Sequence, residues 1–257
     1  MRVPVGALAL VLGTATGLVA ISLALSKSCG PDRYYDCGAS HPTLSMTLRH
    51  ASVRRPVVPL LLASQACLFA SDLALWALVT AERASLTPLA HAACIAGIAS
   101  VPAMSVLVAA NPREDAHLHA ATAWCALRMV QGSLVLPGVW RITRGSVPFA
   151  VVNALRTVLA AILVGVGARL VATAPGGDMD GRLQFAAIRM VLAFHASLIP
   201  ESAGVRLCVG RGGDGGESGG EACVALDVGT RNVLGWWRAG KDGGRYAVRD
   251  EDEEGGG

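Results

Sequence analysis

Six apolar stretches, each long enough to cross a bilayer, fill the first four-fifths of this chain and constrain its fold more than any other feature. Val3 to Leu25 is the clearest. It holds no charged side chain, and at about 1.5 Å per helical residue it exceeds a hydrocarbon core of about 30 Å. Its apolar run is longer than the h-region of a cleaved signal peptide, and Ser22-Leu23-Ala24 is only a fair cleavage site, so a retained anchor is expected. The spans are expected at about 3–25, 56–80, 86–110, 117–140, 147–174 and 185–203 by length and hydropathy. The sixth is the weakest, because Arg189, His195, Pro200 and Glu201 interrupt it, and five spans is the alternative. Residues 1–204 are thus read as an all-α, polytopic transmembrane bundle. From 205 to 257 the text is glycine-rich and charged and ends in RDEDEEGGG, a composition that predicts a disordered tail. Val233 to Trp237 is a short apolar patch within it that reads as a collapsed but unstructured piece, with contact to a protein partner or a membrane surface as the alternative.

Composition agrees. Hydrophobic residues make up 53% and charged residues 16%, against about a quarter charged in soluble domains. A net charge of +3, with basic residues placed singly or in pairs beside apolar runs, does not point to nucleic acid. Seven cysteines lack a repeated metal spacing, and Cys67, Cys94 and Cys125 fall inside apolar runs as small packing residues. Neither a metal nor any other cofactor is implied. The glycine-rich Gly210 to Gly216 lacks the Lys-Ser/Thr ending of a phosphate-binding loop and reads as linker.

The longest loop between spans, Ser26 to Arg55, follows the first of them. The link at Glu82 and Arg83 is short enough to force antiparallel neighbours. Pro112 disfavours helix at Asn111, the acidic pair Glu114-Asp115 suits a new helix start, and Pro175-Gly176-Gly177 closes the fifth span. Orientation stays open by charge. Lys27, Arg33, Arg49, Arg54 and Arg55 lie on one side, and Arg2, Arg83, Arg141, Arg144 and the tail on the other.

A charge at mid-span costs roughly 2.5–3.5 kcal/mol on insertion scales, so Asp72, Arg128 and Arg156 are expected to face the interior and one another. They read either as mutual neutralisation or as a transport relay. Arg169 and Arg189 are placed to snorkel. His117 and His119, two apart, point about 200° apart on a helix and do not chelate one ion. His41 with Asp36, or His195 with Glu201, are candidate acid–base pairs, but no nucleophile motif accompanies them, so no catalytic set is assigned.

The first span, the loop text Asp36-Cys37-Gly38-Ala39-Ser40-His41-Pro42 and Val106 to His119 together resemble the damage-regulated autophagy modulator family. That family includes a Golgi factor for remodelling GPI-anchor lipids and a fungal protein connected with phospholipid asymmetry. Asp36, Gly38 and Pro42 match its Asp-x-Gly…Pro loop, His119 its fourth-span entry, and Arg156 an arginine of the fifth span. Tyr34-Tyr35 stand where the family often has Ile-Ser, and Thr43-Leu44-Ser45 where it has aromatic residues. The resemblance implies a non-enzymatic endomembrane protein, lysosomal or of the Golgi and ER. It would act on lipid organisation or autophagic traffic through membrane lipids and, at its tail, protein partners. It also implies a cytosolic amino terminus and a luminal first loop in which Cys29 and Cys37 pair. A proton-coupled transporter using Asp72, Arg128 and Arg156, and a GPI-anchor lipid-remodelling factor, are the alternatives.

Overall fold

The structure, a computed structural model, describes residues 2–30, 32–37, 41–82, 84–110, 115–143, 147–173, 181–203, 205–211 and 222–228. A two-residue strand β1 (Arg2–Val3) leads into α1 (Val5–Ser28), a single-turn α2 (Leu44–Thr47) and α3 (Ala51–Glu82). A 3-10 turn (Ala84–Leu86) then precedes α4 (Thr87–Ala109), α5 (Asp115–Ile142), α6 (Val147–Thr173) and α7 (Gly181–Ser197). Last come α8 (Ile199–Ser202), β2 (Val205–Arg211) and β3 (Ala222–Val228). Four helical segments are long and apolar enough to cross a membrane: Val5–Ser28, Ala51–Ala81, Thr87–Ala109 and Ala150–Arg169. Of the other two long helices, α5 has the length but carries Arg128 and Gln131 mid-way, and α7, at 17 residues or about 26 Å, is short.

Helix ends follow local chemistry. The second helix was expected from 56 but begins at Ala51, because the Val53 and Arg54 amides already bond to the His50 carbonyl, ahead of Pro56. The prolines at 56 and 59 remove backbone donors without ending it. α4 stops where Ala110 turns extended, and the Arg54 guanidinium donates to the Val108 and Ala109 carbonyls at 2.8 and 3.1 Å, a cation on the negative end of a helix. At the end of α7 the Leu198 amide bonds to the His195 carbonyl, and Pro200 falls in the first turn of α8.

Tight packing starts at α1. Its buried positions Gly6, Leu10, Gly13, Gly17, Ala20 and Ala24 recur every three or four residues and are mostly small, so backbones approach closely. A methyl group on Gly17 would meet Ser64 Oγ and Leu192 Cδ2, both at 2.8 Å, and Ser64 Oγ donates to the Gly13 carbonyl at 2.6 Å. The outward faces are apolar: Ile95 is 64% exposed, Leu155 65% and Val151 60%. In lipid such faces cost nothing; in water they would form a large apolar patch.

The two ends of the bundle differ. At one end β1, β2 and β3 form an antiparallel sheet, with Arg2 opposite Cys208, Val3 opposite Leu207, and β2 paired with β3 from Val205–Val228 to Arg211–Ala222. Val205 packs with Val5, Ala74, Leu78 and Ile142 beneath it. Strand pairing in this segment was not expected from a tail read as structureless from residue 205. Val205–Arg211 and Ala222–Val228 each carry β-branched residues that suit a pleated strand, and the glycine-rich text between and after them masks that signal. Gly38, the link 111–114, the breaker Pro175-Gly176-Gly177 and the patch 233–237 lie outside the described residues.

Candidate functional site

Two buried ion pairs lie inside the bundle, one at mid-helix and one near the sheet end. On α3, Asp72 accepts from Arg128 Nη1 of α5 at 2.7 Å and from Gln131 Nε2, one turn further along α5, at 2.6 Å. Both partners of the ion pair are almost wholly buried. Gln131 Oε1 accepts in turn from Arg128 Nη1 at 3.3 Å, a contact that the i, i+3 spacing on one helix permits. From α7, His195 stands with Nε2 3.9 Å from Asp72 Oδ1, while its Nδ1 meets the Val191 carbonyl at 2.8 Å. That backbone contact places the proton of a neutral ring on Nδ1 and turns the bare Nε2 toward the carboxylate. Arg128 Nε and Nη2 and His195 Nε2 have no hydrogen-bond partner among the described residues.

A second polar layer lies on α3, α4 and α5. Gln65 accepts from Trp124 Nε1 at 3.0 Å and donates to Ser100 Oγ at 3.1 Å, and Ser100 donates to the Gly97 carbonyl. Gly97 passes the Asp72 carboxylate so closely that a methyl group there would stand 2.8 Å from Oδ2.

Arg156 on α6 belongs elsewhere. It makes a fork on Glu201 of α8, Nη1 to Oε1 at 2.7 Å and Nη2 to Oε2 at 2.8 Å, with neither side chain exposed beyond 1%. Nη1 also donates to Asn153 Oδ1 at 2.7 Å, Nε to Ser197 Oγ at 3.1 Å, and Nη2 to the Ser197 carbonyl. Asn153 Nδ2 completes the node on Thr143 Oγ1 at 2.8 Å. The expectation that Asp72, Arg128 and Arg156 face the interior and one another holds for Asp72 with Arg128 and is corrected for Arg156, whose carboxylate is Glu201. The suggested pairing of His195 with Glu201 is likewise replaced by His195 beside Asp72.

The loop end is built on Cys29–Cys37, a disulfide with Cα atoms 5.4 Å apart. Tyr34 stacks on His50 with centroids 3.5 Å apart, and Tyr35 donates its hydroxyl to the Met46 carbonyl at 3.1 Å. Of the loop motif, Asp36 is exposed and Pro42 is buried. Next to it Thr43 caps α2 by accepting from the Met46 amide, and the Leu44 amide donates to Gln184 Oε1 of α7 at 2.6 Å. His41 lies edge-on to Phe185 at 5.5 Å. The two histidines of α5 part as their spacing requires: His117 is buried with Nε2 2.5 Å from Ser45 Oγ of α2, and His119 is exposed.

Two cavities flank the polar layers. One, about 340 Å³ counting the open space at its mouth, is lined by the 3-10 turn, α3, α4 and α5 and reaches Asp72, Trp76 and Gln131. The other, about 680 Å³ counting the space at its mouth, lies under α2 among α1, α3, α4, α5 and α7.

Spacing gives Gln131 and Asn153 away as helpers, since each sits three residues from its arginine. Gln65, Trp124 and Ser197 carry no such signal, because their use depends on how neighbouring helices are rotated. Fold and site define a helical membrane protein with paired interior charges and a disulfide-closed loop. Compared with protein-family models, curated proteins and solved structures, the chain finds no match in any of the three.

Proposed function

We propose that this chain is a non-enzymatic, six-span integral membrane protein of endomembranes that acts on membrane lipid organisation or autophagic traffic through lipid and protein contacts. The observation that carries this reading is the state of the interior charges. Asp72 with Arg128, and Arg156 with Glu201, are buried pairs, so each charge is neutralised by its partner inside the bundle. The pairing of β1 with β2 fits an even number of crossings, which four or six spans both give, and the reading of six counts α5 and α7 as spans, α5 by its length and both by their place in the bundle. A disulfide belongs in an oxidising compartment, so the Cys29–Cys37 loop is assigned to the lumen and the ends to the cytosol. The family reading as an autophagy modulator, and with it the lysosomal or Golgi and ER location, rests on the loop and fourth-span motifs of the sequence.

A second reading, a proton-coupled carrier, is favoured by one observation: the smaller cavity reaches Asp72, with His195 beside that carboxylate. Reconstitution separates the two. Vesicles with an internal pH-sensitive dye are loaded with wild-type protein and with Asp72→Asn, and folded yield and proton flux are both read. The scaffold reading expects flux equal to that of protein-free vesicles for both, with a lower folded yield for the variant. Flux in wild type that a folded Asp72→Asn loses would establish the carrier.

A further inference from the structure

We infer that the outward face of α7 is a docking site for one transmembrane helix of another protein, a helix that carries an Asp or Glu near its middle to meet Arg189. The sequence places Arg189 to snorkel from a span end, but α7 (Gly181–Ser197) has it at its midpoint, eight residues or about 12 Å from either end. Packing fixes its depth as well. A methyl group on Gly17, in the middle of α1 (Val5–Ser28), would meet Leu192 Cδ2 at 2.8 Å, so Leu192 is level with the middle of a full-length span. Arg189 is three residues, about 4.5 Å, nearer the loop end, where Gln184 meets the Leu44 amide. With half a hydrocarbon core at about 15 Å, about 10 Å of it separates the Arg189 Cα from the nearer headgroups. The side chain is exposed and, unlike Arg128 and Arg156, has no hydrogen-bond or ion-pair partner among the described residues.

The face around it is shaped for a helix. The exposed residues of α7 are Arg182, Ala186, Arg189 and Ala193, which fall within about 60° around the axis. On α6, by contrast, the outward residues are bulky, among them Val151, Leu155, Val158 and Ile162. Alanines three residues before and four after Arg189 let a second backbone come close, as small residues do where helices meet within a bilayer. Lipid tails offer a guanidinium nothing, and at this depth a charge without a partner is costly. A carboxylate at the same depth satisfies it by the same fork that joins Arg156 to Glu201. A second copy of this chain does not supply that acid from its interior, because Asp72 and Glu201 are already paired there, so the partner is a different chain.

The inference rests on the six-span reading, which it deepens by giving the class of protein partner, and the test keeps the two apart. Full-length Arg189→Cys in vesicles is first exposed on both sides to a membrane-impermeant maleimide. Modification mapped to position 189 would put α7 in water and overturn the six-span reading itself. Wild-type protein in phosphatidylcholine vesicles is then mixed with a synthetic leucine–alanine transmembrane peptide that bears one central Glu and, beside it, a photoactivatable leucine. Peptides with Gln or Lys in place of that Glu are the controls. The expected result is saturable cross-linking mapped to the stretch from Ala186 to Ala193, about tenfold stronger than with the Gln peptide and weakest with Lys. Arg189→Leu should bring the Glu peptide down to the Gln level, and Arg189→Lys, which keeps the charge but not the fork, should fall between. Ala186→Phe leaves the charge and blocks close approach, so it should lower cross-linking about fivefold, while Leu155→Ala on α6 should leave it unchanged. The three peptides on wild type decide the matter even where a variant fails to fold. Equal cross-linking by the Glu and Gln peptides overturns the site. So does photoactivatable phosphatidylserine that labels this stretch in place of the Glu peptide, in wild type but not in Arg189→Leu, since the arginine would then belong to a lipid phosphate.

Discussion

Arg156 shows how much a single side chain holds in this bundle. Its guanidinium forks onto Glu201 and bonds to Asn153, Ser197 and the Ser197 carbonyl, so it ties α6 to the break between α7 and α8. Glu201→Gln leaves that cation buried beside a neutral amide, and a loss of about 3 kcal/mol is expected by analogy with other buried pairs cut on one side. Thermal unfolding of detergent-solubilised protein, followed by size-exclusion fluorescence, checks this. Arg156→Lys keeps the charge but not the planar fork, and should fall between wild type and Glu201→Gln. The paired change Arg156→Met with Glu201→Leu removes both charges and should recover most of the loss; no recovery would mean that the pair does more than neutralise itself. An acid in mid-span announces in the sequence that it needs a base, and Arg128 answers Asp72. Which arginine answers could not be read, because the choice depends on the rotation of each helix about its axis. Glu201 reads in the sequence as a flaw in the last span, and in three dimensions it is the partner that lets Arg156 be buried.

At the scale of the element, α1 is fixed by what it lacks. Glycines at 13 and 17 let α3 and α7 approach its backbone, and Gly17→Leu would drive four heavy atoms into Ser64 and Leu192. Overpacking of this kind costs about 1–3 kcal/mol, so a lower midpoint in the same unfolding assay is expected, while Val19→Leu on the exposed face of α1 should leave it unmoved. The first loop is fixed by a covalent bond. Closing a segment of separation 8 is worth about 2–3 kcal/mol by chain entropy, so Cys29→Ser should loosen the loop that seats α2. In wild type, a bulky maleimide should modify Cys37 only after reduction; modification without a reductant would show an open pair. Apolar length and breakers made the long helices legible, since both act locally. The strands at 205–211 and 222–228 were not, because each is completed by a partner far away or across a glycine-rich stretch, and seven residues of mixed character carry no period of their own.

For the whole molecule, the sheet is the strongest constraint on how the chain is threaded. Residues 2–3 hydrogen-bond to residues 207–208, so the segments before α1 and after α8 share one side, whatever the hydropathy of α5 and α7 taken alone. The proposal of six spans counts those two helices, whose buried polar residues are paired inside the bundle. Arg128 and Gln131 of α5 face Asp72 instead of lipid, and α7 is extended by the Leu198 turn into α8, whose Glu201 is covered by Arg156. The basic residues nearly balance across the two sides, so charge does not set the orientation, and the proposed orientation rests on the disulfide, which is stable in an oxidising compartment. The expected outcome is specific. A glycosylation acceptor inserted after Arg33 should be modified in cells, while epitope tags before Arg2 and after Gly257 should both be digested when the plasma membrane alone is permeabilised and protease is added. Tags on opposite sides would require an odd number of crossings, and with it the failure of the β1–β2 pairing. Tags on one side with an unglycosylated loop would keep an even number of crossings but invert the protein, which would put Cys29 and Cys37 in a reducing compartment where they could not stay joined.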